Sequence, residues 1–368
     1  MKYFFLGLIL WTIGLQSQTI TGKIVHDGLN RDYRLYIPKN FHSNKSYPLI
    51  VNLHGFTSNA QQQEIYGDFR SIADTAGFLI VHPNGTTTSP LNQSFWNVGF
   101  FPSTVDDVGF INKLIDSLSL SYPIDKNRIY ATGMSNGGFM SYKLACESDK
   151  FAAIASVTGS MVAAEKLLCK RKSPIPVMEI HGTADGIVPY TGTQQFLSID
   201  EVLNFWKEIN KTESGAQVIK ILDISSSDGA TAEHIIFHAK DSYAPVEHFK
   251  INNGGHTWPG AVINVGTTCQ DISASLEIWK FFSRFRLNSI SSNEKVYTTE
   301  AKMYFSAESN ELILAGSVPS ELIIMDLSGR VLYSKWISKE LESVNLTSIN
   351  SGLYLAKLNR TLVKFVKY

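Results

Sequence analysis

A serine in a glycine-rich stretch has the setting of a nucleophile. Ser135 lies within residues 133–137 (GMSNG), between an apolar run that predicts a strand and an amphipathic run that predicts a helix. A serine hydroxyl attacks poorly unless a base takes its proton and the backbone presents it free of steric cover. Small neighbours permit the sharp strand-to-helix turn that does this. The alternative is a glycine-rich helix start that packs closely on a strand.

Two later loops could supply the base and the carboxylate. His256 lies in residues 253–260 (NGGHTWPG) and Asp185 in residues 181–190 (HGTADGIVPY), and each loop follows a predicted strand. A carboxylate can hold an imidazole in one tautomer and stabilise its charged form. The order serine, aspartate, histidine is the one used by the α/β-hydrolase fold. We therefore expect Ser135, Asp185 and His256 to form a catalytic triad.

Three aspartates compete for the carboxylate role. Asp185 could instead be a turn former, since a glycine follows it. Asp106 and Asp107 are its rivals, but they precede a predicted helix, and helix capping explains at least one of them.

The loop at residues 54–57 (HGFT) follows an apolar strand and could help to bind an oxyanion. The tetrahedral intermediate of acyl transfer needs preorganised N–H donors. In this fold one donor follows the nucleophile, here Asn136, and the other comes from this earlier loop, where we expect Phe56. An ordinary turn at a strand end is the alternative.

The elements that must position these residues alternate from residue 18 to residue 287. Buried apolar strands that alternate with helices predict an α/β fold, with a mostly parallel sheet covered on both faces. Ligands of such sheets bind at the carboxyl ends of the strands. Strands are predicted at 33–37, 47–53, 78–82, 128–132, 152–157, 176–181 and 246–251, and helices at 61–76, 107–121, 136–147, 198–209 and 272–284.

The composition changes after residue 287. Residues 288–295 are polar and predict a linker between the catalytic domain, 18–287, and a C-terminal domain, 296–368. Short β-type runs separated by turn signals predict that this second domain is a small β-sandwich. Its strands are predicted at 306–315, 321–325, 330–334, 344–346, 353–357 and 362–368.

Charge and the N-terminus restrict the class of protein. The 33 basic and 33 acidic residues balance, so the basic excess of a nucleic-acid-binding protein is missing. Lys2 and the apolar run after it predict a signal peptide over residues 1–17, since the run is too short to span about 30 Å of hydrocarbon. No other run is long enough for a stable membrane span. We expect an exported protein.

Three cysteines remain, and export permits them to form a disulfide. Cys146 with Cys169 is the preferred pair, because both should lie near the segment that follows the nucleophile helix; Cys269 would then stay free. Three buried, unpaired thiols are the alternative. No spacing of cysteine and histidine suggests a metal site, and no cofactor is implied.

Five stretches together, LHGF, DDVGFI, GMSNGG, HGTADGIVPY and GGHTWPG, resemble one bacterial esterase family over residues 33–285. It includes polyhydroxybutyrate depolymerases and the feruloyl and acetylxylan esterases of carbohydrate esterase family one. The resemblance gives the triad roles to the serine, aspartate and histidine named above, and the DDVGFI aspartates a structural role. Trp96 and Trp258 resemble aromatic positions near the family's active site. With Thr57 they are the substrate-binding candidates, although both tryptophans could equally belong to the core.

The C-terminal domain resembles a different family. LIIMDLSGRVLYSK, VNLTSINSGLYLAKL and VKFVKY are similar to the sorting domain of the type IX secretion pathway of Gram-negative bacteria. The resemblance implies passage through the outer membrane with the secretion machinery as partner, and then release or attachment at the cell surface. A carbohydrate-binding β-sandwich is the alternative, although Trp336 is the domain's only tryptophan.

The sequence thus predicts a secreted serine esterase that works through an acyl-enzyme. The expected substrates are feruloyl or acetyl esters of plant polysaccharide, or polyhydroxyalkanoate, in polymeric or oligomeric form. Two alternatives stay open: a serine peptidase of the same fold, and a non-catalytic, glycan-binding hydrolase scaffold at the cell surface.

Overall fold

The computed structural model describes residues 18–87, 92–240, 244–287, 302–306, 309–315, 320–326, 330–337, 341–358 and 361–367. The chain divides into two compact units, Met1–Ile290 and Ser291–Tyr368, at a point inside the segment predicted as a linker. That linker and the predicted signal peptide lie outside the described residues.

The first unit is built on one ten-stranded sheet with the order β1-β2-β4-β3-β5-β6-β7-β10-β9-β8. The six strands from β4 to β10 in this order are parallel, and antiparallel strands flank them on both sides. The strands are β1 (Thr19–His26), β2 (Leu29–Tyr36), β3 (Tyr47–Leu53), β4 (Leu79–Pro83), β5 (Ile124–Met134), β6 (Ala153–Val157), β7 (Val177–Gly182), β8 (Gln217–Lys220), β9 (Thr231–Phe237) and β10 (Val246–Asn252).

Helices cover both faces of the sheet. They are α1 (Ala60–Tyr66), α2 (Arg70–Ala76), α3 (Asp107–Ser121), α4 (Asn136–Glu147), α5 (Ala163–Leu168), α6 (Ile199–Asn210) and α7 (Ala274–Phe282). Side chains alternate across a strand, so Leu49 and Val51 of β3 lie in one buried cluster with α3, α4 and α6, and Ile50 lies in another with α2 and α7. The predicted α/β architecture is confirmed.

Several element predictions are wrong, and each has a physical cause. The helix predicted at 61–76 is two helices, α1 and α2, with a break at Gly67. A side chain there would come within 3.2 Å of the Trp258 ring, and the Gly67 carbonyl accepts a hydrogen bond from the Asn52 side chain. Strands β1, β8 and β9 and helix α5 were not predicted. Every residue of β8 is exposed, so its sequence carries no apolar period.

The second unit contains two antiparallel sheets whose side chains share one buried cluster. Its strands are β11 (Lys302–Ser306), β12 (Glu311–Ala315), β13 (Ser320–Met325), β14 (Val331–Ile337), β15 (Leu341–Asn345), β16 (Gly352–Leu358) and β17 (Thr361–Lys367). The single strand predicted at 306–315 is wrong: β11 and β12 form a hairpin, and Asn310 in the turn has a left-handed φ of 55°.

Cys146 and Cys169 form a disulfide, as the sequence analysis preferred, and Cys269 is buried and unpaired. The bond ties the last turn of α4 to the residue that follows α5. In the part of the chain that the structure describes, no helix combines the length and the apolar character needed to cross a membrane.

Candidate active site

The three residues expected to form a triad follow strands at one edge of the sheet. Ser135 comes directly after β5, Asp185 three residues after β7, and His256 four residues after β10. These strands and β6 are parallel neighbours in the order β5-β6-β7-β10. Their carboxyl ends therefore share one edge, which is where α/β folds bind ligands.

Ser135 has a strained backbone, with φ 54° and ψ −120°. A non-glycine residue in such a conformation costs about 1–3 kcal/mol, and this strain is typical of functional sites. The flanking glycines make the turn sterically possible, because a Cβ on Gly137 would lie 2.2 Å from the Leu53 carbonyl oxygen and one on Gly133 2.6 Å from it. The glycines thus let the end of β3 approach the serine.

His256 and Asp185 are joined directly. The imidazole Nδ1 lies 2.7 Å from Asp185 Oδ2, while Asp185 Oδ1 accepts hydrogen bonds of 2.8 Å from the backbone N–H groups of Ile187 and Val188. Burial would raise the pKa of Asp185, but the hydrogen bonds from His181 and His256 outweigh it and hold that pKa well below its usual range. An ionised Asp185 fixes the proton of His256 on Nδ1, so Nε2 is the nitrogen able to accept one.

Among the described residues no hydrogen bond joins Ser135 Oγ to His256. Such bonds are often long in unliganded enzymes and tighten when the substrate binds. The structure therefore brings Asp185 and His256 into contact and sets Ser135 at the same sheet edge.

Two backbone N–H groups next to Ser135 are free to bind an oxyanion. Within the described part of the chain, neither Phe56 N nor Asn136 N has a hydrogen-bond acceptor. Asn136 opens α4, where helical N–H groups have no intrahelical partner. The Phe56 loop lies against the serine, since a Cβ on Gly55 would be 3.5 Å from Ser135 Cβ. Both donors were expected from the sequence.

Trp96 belongs to the core, which is the alternative that the sequence analysis left open beside substrate binding. Its side chain is fully buried, and its indole N–H donates to the His54 carbonyl at 2.9 Å. Its backbone N–H donates to Asn136 Oδ1 at 2.6 Å, and its carbonyl accepts from Asn136 Nδ2 at 3.1 Å. Trp96 thus connects residues 54–57, called the oxyanion loop below, to Asn136, the residue that follows the nucleophile.

Trp258 is also a core residue, in agreement with the same alternative. It is 1% exposed, its ring packs edge-on against Phe69 at 6.1 Å, and its indole N–H donates to Ser275 Oγ at 3.1 Å. The sequence could not decide between the two alternatives, because a motif shows which residues lie near a site but not which way their rings point. Thr57, the third candidate, is exposed on the oxyanion loop, with a left-handed φ of 67°.

His54 has a structural role that the sequence analysis did not assign. Its Nε2 accepts the Gly85 N–H at 2.9 Å, so the proton lies on Nδ1, which donates to the Gly55 carbonyl at 2.7 Å. Burial lowers the pKa of His54 to about 4, so the ring is neutral. This imidazole braces the oxyanion loop against the loop after β4. The sequence signal that could have indicated this role is the position of His54 directly before the glycine of HGFT.

The rival carboxylates have other partners. Asp106 caps α3 through a 2.8 Å bond from the Gly109 N–H, as the capping alternative predicts. Asp107 is buried, lies 2.6 Å from Arg31, and accepts the Asn97 N–H at 2.7 Å. That last bond supports the chain segment that carries Trp96.

Two groups of side chains in the described residues come close enough to share a cation: His26 with Asp27 and Asp106, and Asp228 with Cys269 and Asp271. Neither contains a residue of the expected triad. In the second group both Asp228 oxygens already accept backbone N–H groups, from Ala230 and Gln270.

Comparison with solved structures supports the fold. An acetyl xylan esterase from Aspergillus awamori superposes with a TM-score of 0.51 at 14% identity, over 72% of this chain and 99% of the other. The parallel sheet, its two helical layers and this superposition define the α/β-hydrolase fold, with the antiparallel sheets of the second unit added to it.

Comparison with families and sequences points to esterases. Residues 104–216, which hold Ser135 and Asp185, match the family model described as phospholipase/carboxylesterase. A bifunctional acetylxylan esterase/xylanase of Neocallimastix patriciarum is 25% identical over 74% of this chain, and feruloyl esterase B of Piromyces equi is 32% identical over 42%. The chain spans 36% and 29% of the lengths of these two relatives.

Proposed function

We propose that this chain is a serine carboxylic ester hydrolase with Ser135 as nucleophile, His256 as base and Asp185 as its carboxylate partner. The observation that carries the proposal is the 2.7 Å contact between His256 and Asp185, at the sheet edge where a strained Ser135 lies beside two unpartnered N–H groups. These are the parts that acyl transfer from an ester requires. The likeness to carboxylesterases supports the reaction class.

The proposed reaction has two halves. His256 Nε2 takes the Ser135 proton as the hydroxyl oxygen attacks the ester carbonyl, and the N–H groups of Phe56 and Asn136 bind the resulting oxyanion. The ester C–O bond breaks, and the alcohol leaves with the proton from His256. Water then attacks the acyl-enzyme and gives a proton to His256. The bond between the acyl carbon and Ser135 Oγ breaks, His256 returns the proton to the serine oxygen, and the acid leaves.

For the substrate we propose a feruloyl or acetyl ester of a plant polysaccharide, with polyhydroxyalkanoate as the second possibility. Relatives named as acetylxylan and feruloyl esterases support the first class. Methyl ferulate, acetylated xylan and polyhydroxybutyrate film, with a peptide anilide as a fourth substrate, form the panel that tests it. If the anilide is turned over faster than every ester, the proposed function changes from an esterase to a peptidase.

The direct test of the reaction class is Ser135→Ala. We expect kcat on an aryl acetate to fall by about 10⁴-fold or more, and labelling by a fluorophosphonate probe to disappear. Ser119→Ala is the matched control: Ser119 lies in α3, its hydroxyl donates only to the Ile115 carbonyl, and its loss should change neither readout. Activity of Ser135→Ala close to wild type would refute the assignment.

The proposal includes export, with the C-terminal unit as a type IX sorting signal. The turn at 327–329 that carries part of this resemblance lies outside the described residues. In a host with this pathway, the full chain should appear outside the outer membrane. A chain ending at residue 295 should stay in the periplasm. Equal export of both would reject the sorting role.

A further inference from the structure

A line of buried ionisable groups continues from Asp185 into the protein, away from His256. His181 Nε2 lies 3.4 Å from Asp185 Oδ2, and His181 Nδ1 lies 2.8 Å from Glu179 Oε1. The other Glu179 oxygen accepts the Tyr142 hydroxyl at 2.5 Å. The side chains of His181 and Glu179 are completely buried. None of these three groups takes part in the proposed reaction.

The strand and its loop build this line. Residues 179 and 181 are two apart on β7, so their side chains lie on the same face. The loop after β7 then folds back: the Val188 carbonyl accepts from His181 Nε2 at 2.8 Å, and the Val188 N–H donates to Asp185 Oδ1 at 2.8 Å. Asp185 Oδ1 is therefore held by the backbone, and Asp185 Oδ2 lies between two imidazoles.

The hydrogen-bond partners define the protons on His181. Val188 offers a carbonyl oxygen, which only accepts, so Nε2 carries a proton. Nδ1 faces a carboxylate, which favours a second proton. Burial would lower the pKa of His181, but hydrogen bonds to Asp185 and Glu179 outweigh it and raise the pKa to about 9. The ring is then an imidazolium at neutral pH.

The other titratable groups around His181 are Tyr142, Tyr190, His248 and Lys250, a basic residue of β10 that is paired in register with His181. Burial raises the pKa values of Tyr142 and Tyr190 far above their usual range, and burial lowers the pKa of His248 to about 3. Tyr190 meets the His181 ring edge-on at 5.9 Å, and His248 comes from the neighbouring strand β10. Among the described residues, the acidic groups that His181 contacts are Asp185 and Glu179. Burial raises the pKa of Glu179, while the hydrogen bonds with His181 and Tyr142 oppose that rise and favour its charged form.

We propose that His181 is a positioning residue: a buried imidazolium, held between the Glu179 and Asp185 carboxylates, that orients Asp185 for its contact with His256. The inference rests on the proposed function, since Asp185 acts there as the carboxylate of the triad. A second consequence follows from Coulomb repulsion. The charge on His181 repels a second positive charge across Asp185, so its removal should move the acidic limb of the kcat/KM profile upward.

The test compares His181→Gln with His248→Gln. Gln can keep a donor near Nε2 but carries no charge. We expect kcat of His181→Gln to fall about tenfold with KM changed less than about threefold, and the acidic limb of the kcat/KM profile to move up by about half a pH unit or more. His248 is an equally buried, neutral histidine with two hydrogen bonds, so its Gln variant should show neither change.

A readout independent of catalysis separates this inference from the proposed function. In protein labelled with [15N]histidine, NMR should show both His181 ring nitrogens protonated at pH 7, with the signal assigned by its loss in His181→Gln. A neutral His181 ring would overturn the inference. So would an unmoved acidic limb in His181→Gln, or the same shift in His248→Gln. Full activity of Ser135→Ala would instead reject the proposed function and leave the His181 charge measurable.

If His181→Gln does not fold, Glu179→Gln replaces it, because this variant keeps the imidazole and removes one of its two carboxylate partners. We expect its His181 ring to lose the second proton at lower pH than in wild type. An unchanged ring titration in Glu179→Gln would contradict the proposed charge pair.

Discussion

Substitution of Trp96 by Phe tests whether a buried tryptophan holds the oxyanion loop in place. The variant loses the indole N–H that donates to the His54 carbonyl at 2.9 Å. Trp206 provides the matched control: it is also fully buried, but in the described structure its indole nitrogen has no hydrogen-bond partner. The two Trp→Phe changes therefore remove similar apolar volume, and only one of them removes a hydrogen bond.

The expected magnitudes follow from this difference. Shrinking the indole to a phenyl ring costs about 1–2 kcal/mol at either site. A buried carbonyl left without its donor costs a further 1–3 kcal/mol or so, and removal of the unpaired Trp206 N–H carries no such loss. The free energy of unfolding should thus fall more in Trp96→Phe, by about 1–3 kcal/mol. Because the oxyanion loop carries both His54 and the Phe56 N–H, kcat should also fall, by about tenfold.

Urea denaturation followed by circular dichroism at 222 nm measures the free energy of unfolding. All seven described helices belong to the first unit, so this signal reports its unfolding. Hydrolysis of an aryl acetate measures kcat, which should stay within about threefold of wild type in Trp206→Phe. Equal destabilisation of the two variants, with kcat of Trp96→Phe unchanged, would refute the bracing role of Trp96.

Three further predictions concern stability. Burial lowers the pKa of His54 to about 4. Between pH 6.5 and 4 the unfolded state therefore binds more protons than the folded state, and wild type should lose stability as the pH falls through this range. Urea titrations should show a smaller loss for His54→Gln over the same range. The pKa of Asp185 is also lowered, so its stabilising contribution, present above about pH 4, should fade as pH decreases further, and Asp185→Asn should show a smaller loss of melting temperature there. Replacing Cys146 and Cys169 together by Ser should cost about 3 kcal/mol at constant pH, seen as a lower urea midpoint, since their bond closes a loop with a sequence separation of 23. A midpoint equal to that of wild type would contradict the last prediction.

The sequence predicts elements best where burial follows the local period. Strand β3 and helices α3 and α4 begin and end at the predicted residues, because β3 is buried throughout and the helices carry clear apolar faces. The break at Gly67 could not be predicted, since the contacts made there by Asn52 and by the ring of Trp258 come from other parts of the chain. Strand β8 could not be predicted either, since pairing with β9 rather than burial holds it.

The candidate site shows the same division. The pairing of Asp185 with His256 was predictable, because serine, aspartate and histidine occur in the chain order that this fold uses, each in a loop after a strand. A motif does not contain the direction of a ring, so the sequence left Trp96 and Trp258 between the core and the substrate surface, and the structure places both in the core. The charge on His181 was equally hidden, because it depends on Glu179, Asp185 and Val188 surrounding one imidazole.

The strain at Ser135 must be offset by the elements on either side of it. Its backbone conformation costs about 1–3 kcal/mol, and the turn persists only if β5 before it and α4 after it are both fixed. Strand β5 lies in the interior of the sheet, between β3 and β6, and most residues of α4 are buried against it. At its far end, α4 is anchored by Cys146 through the disulfide. Loosening that anchor should therefore lower stability first, and should reach the nucleophile only when α4 itself shifts.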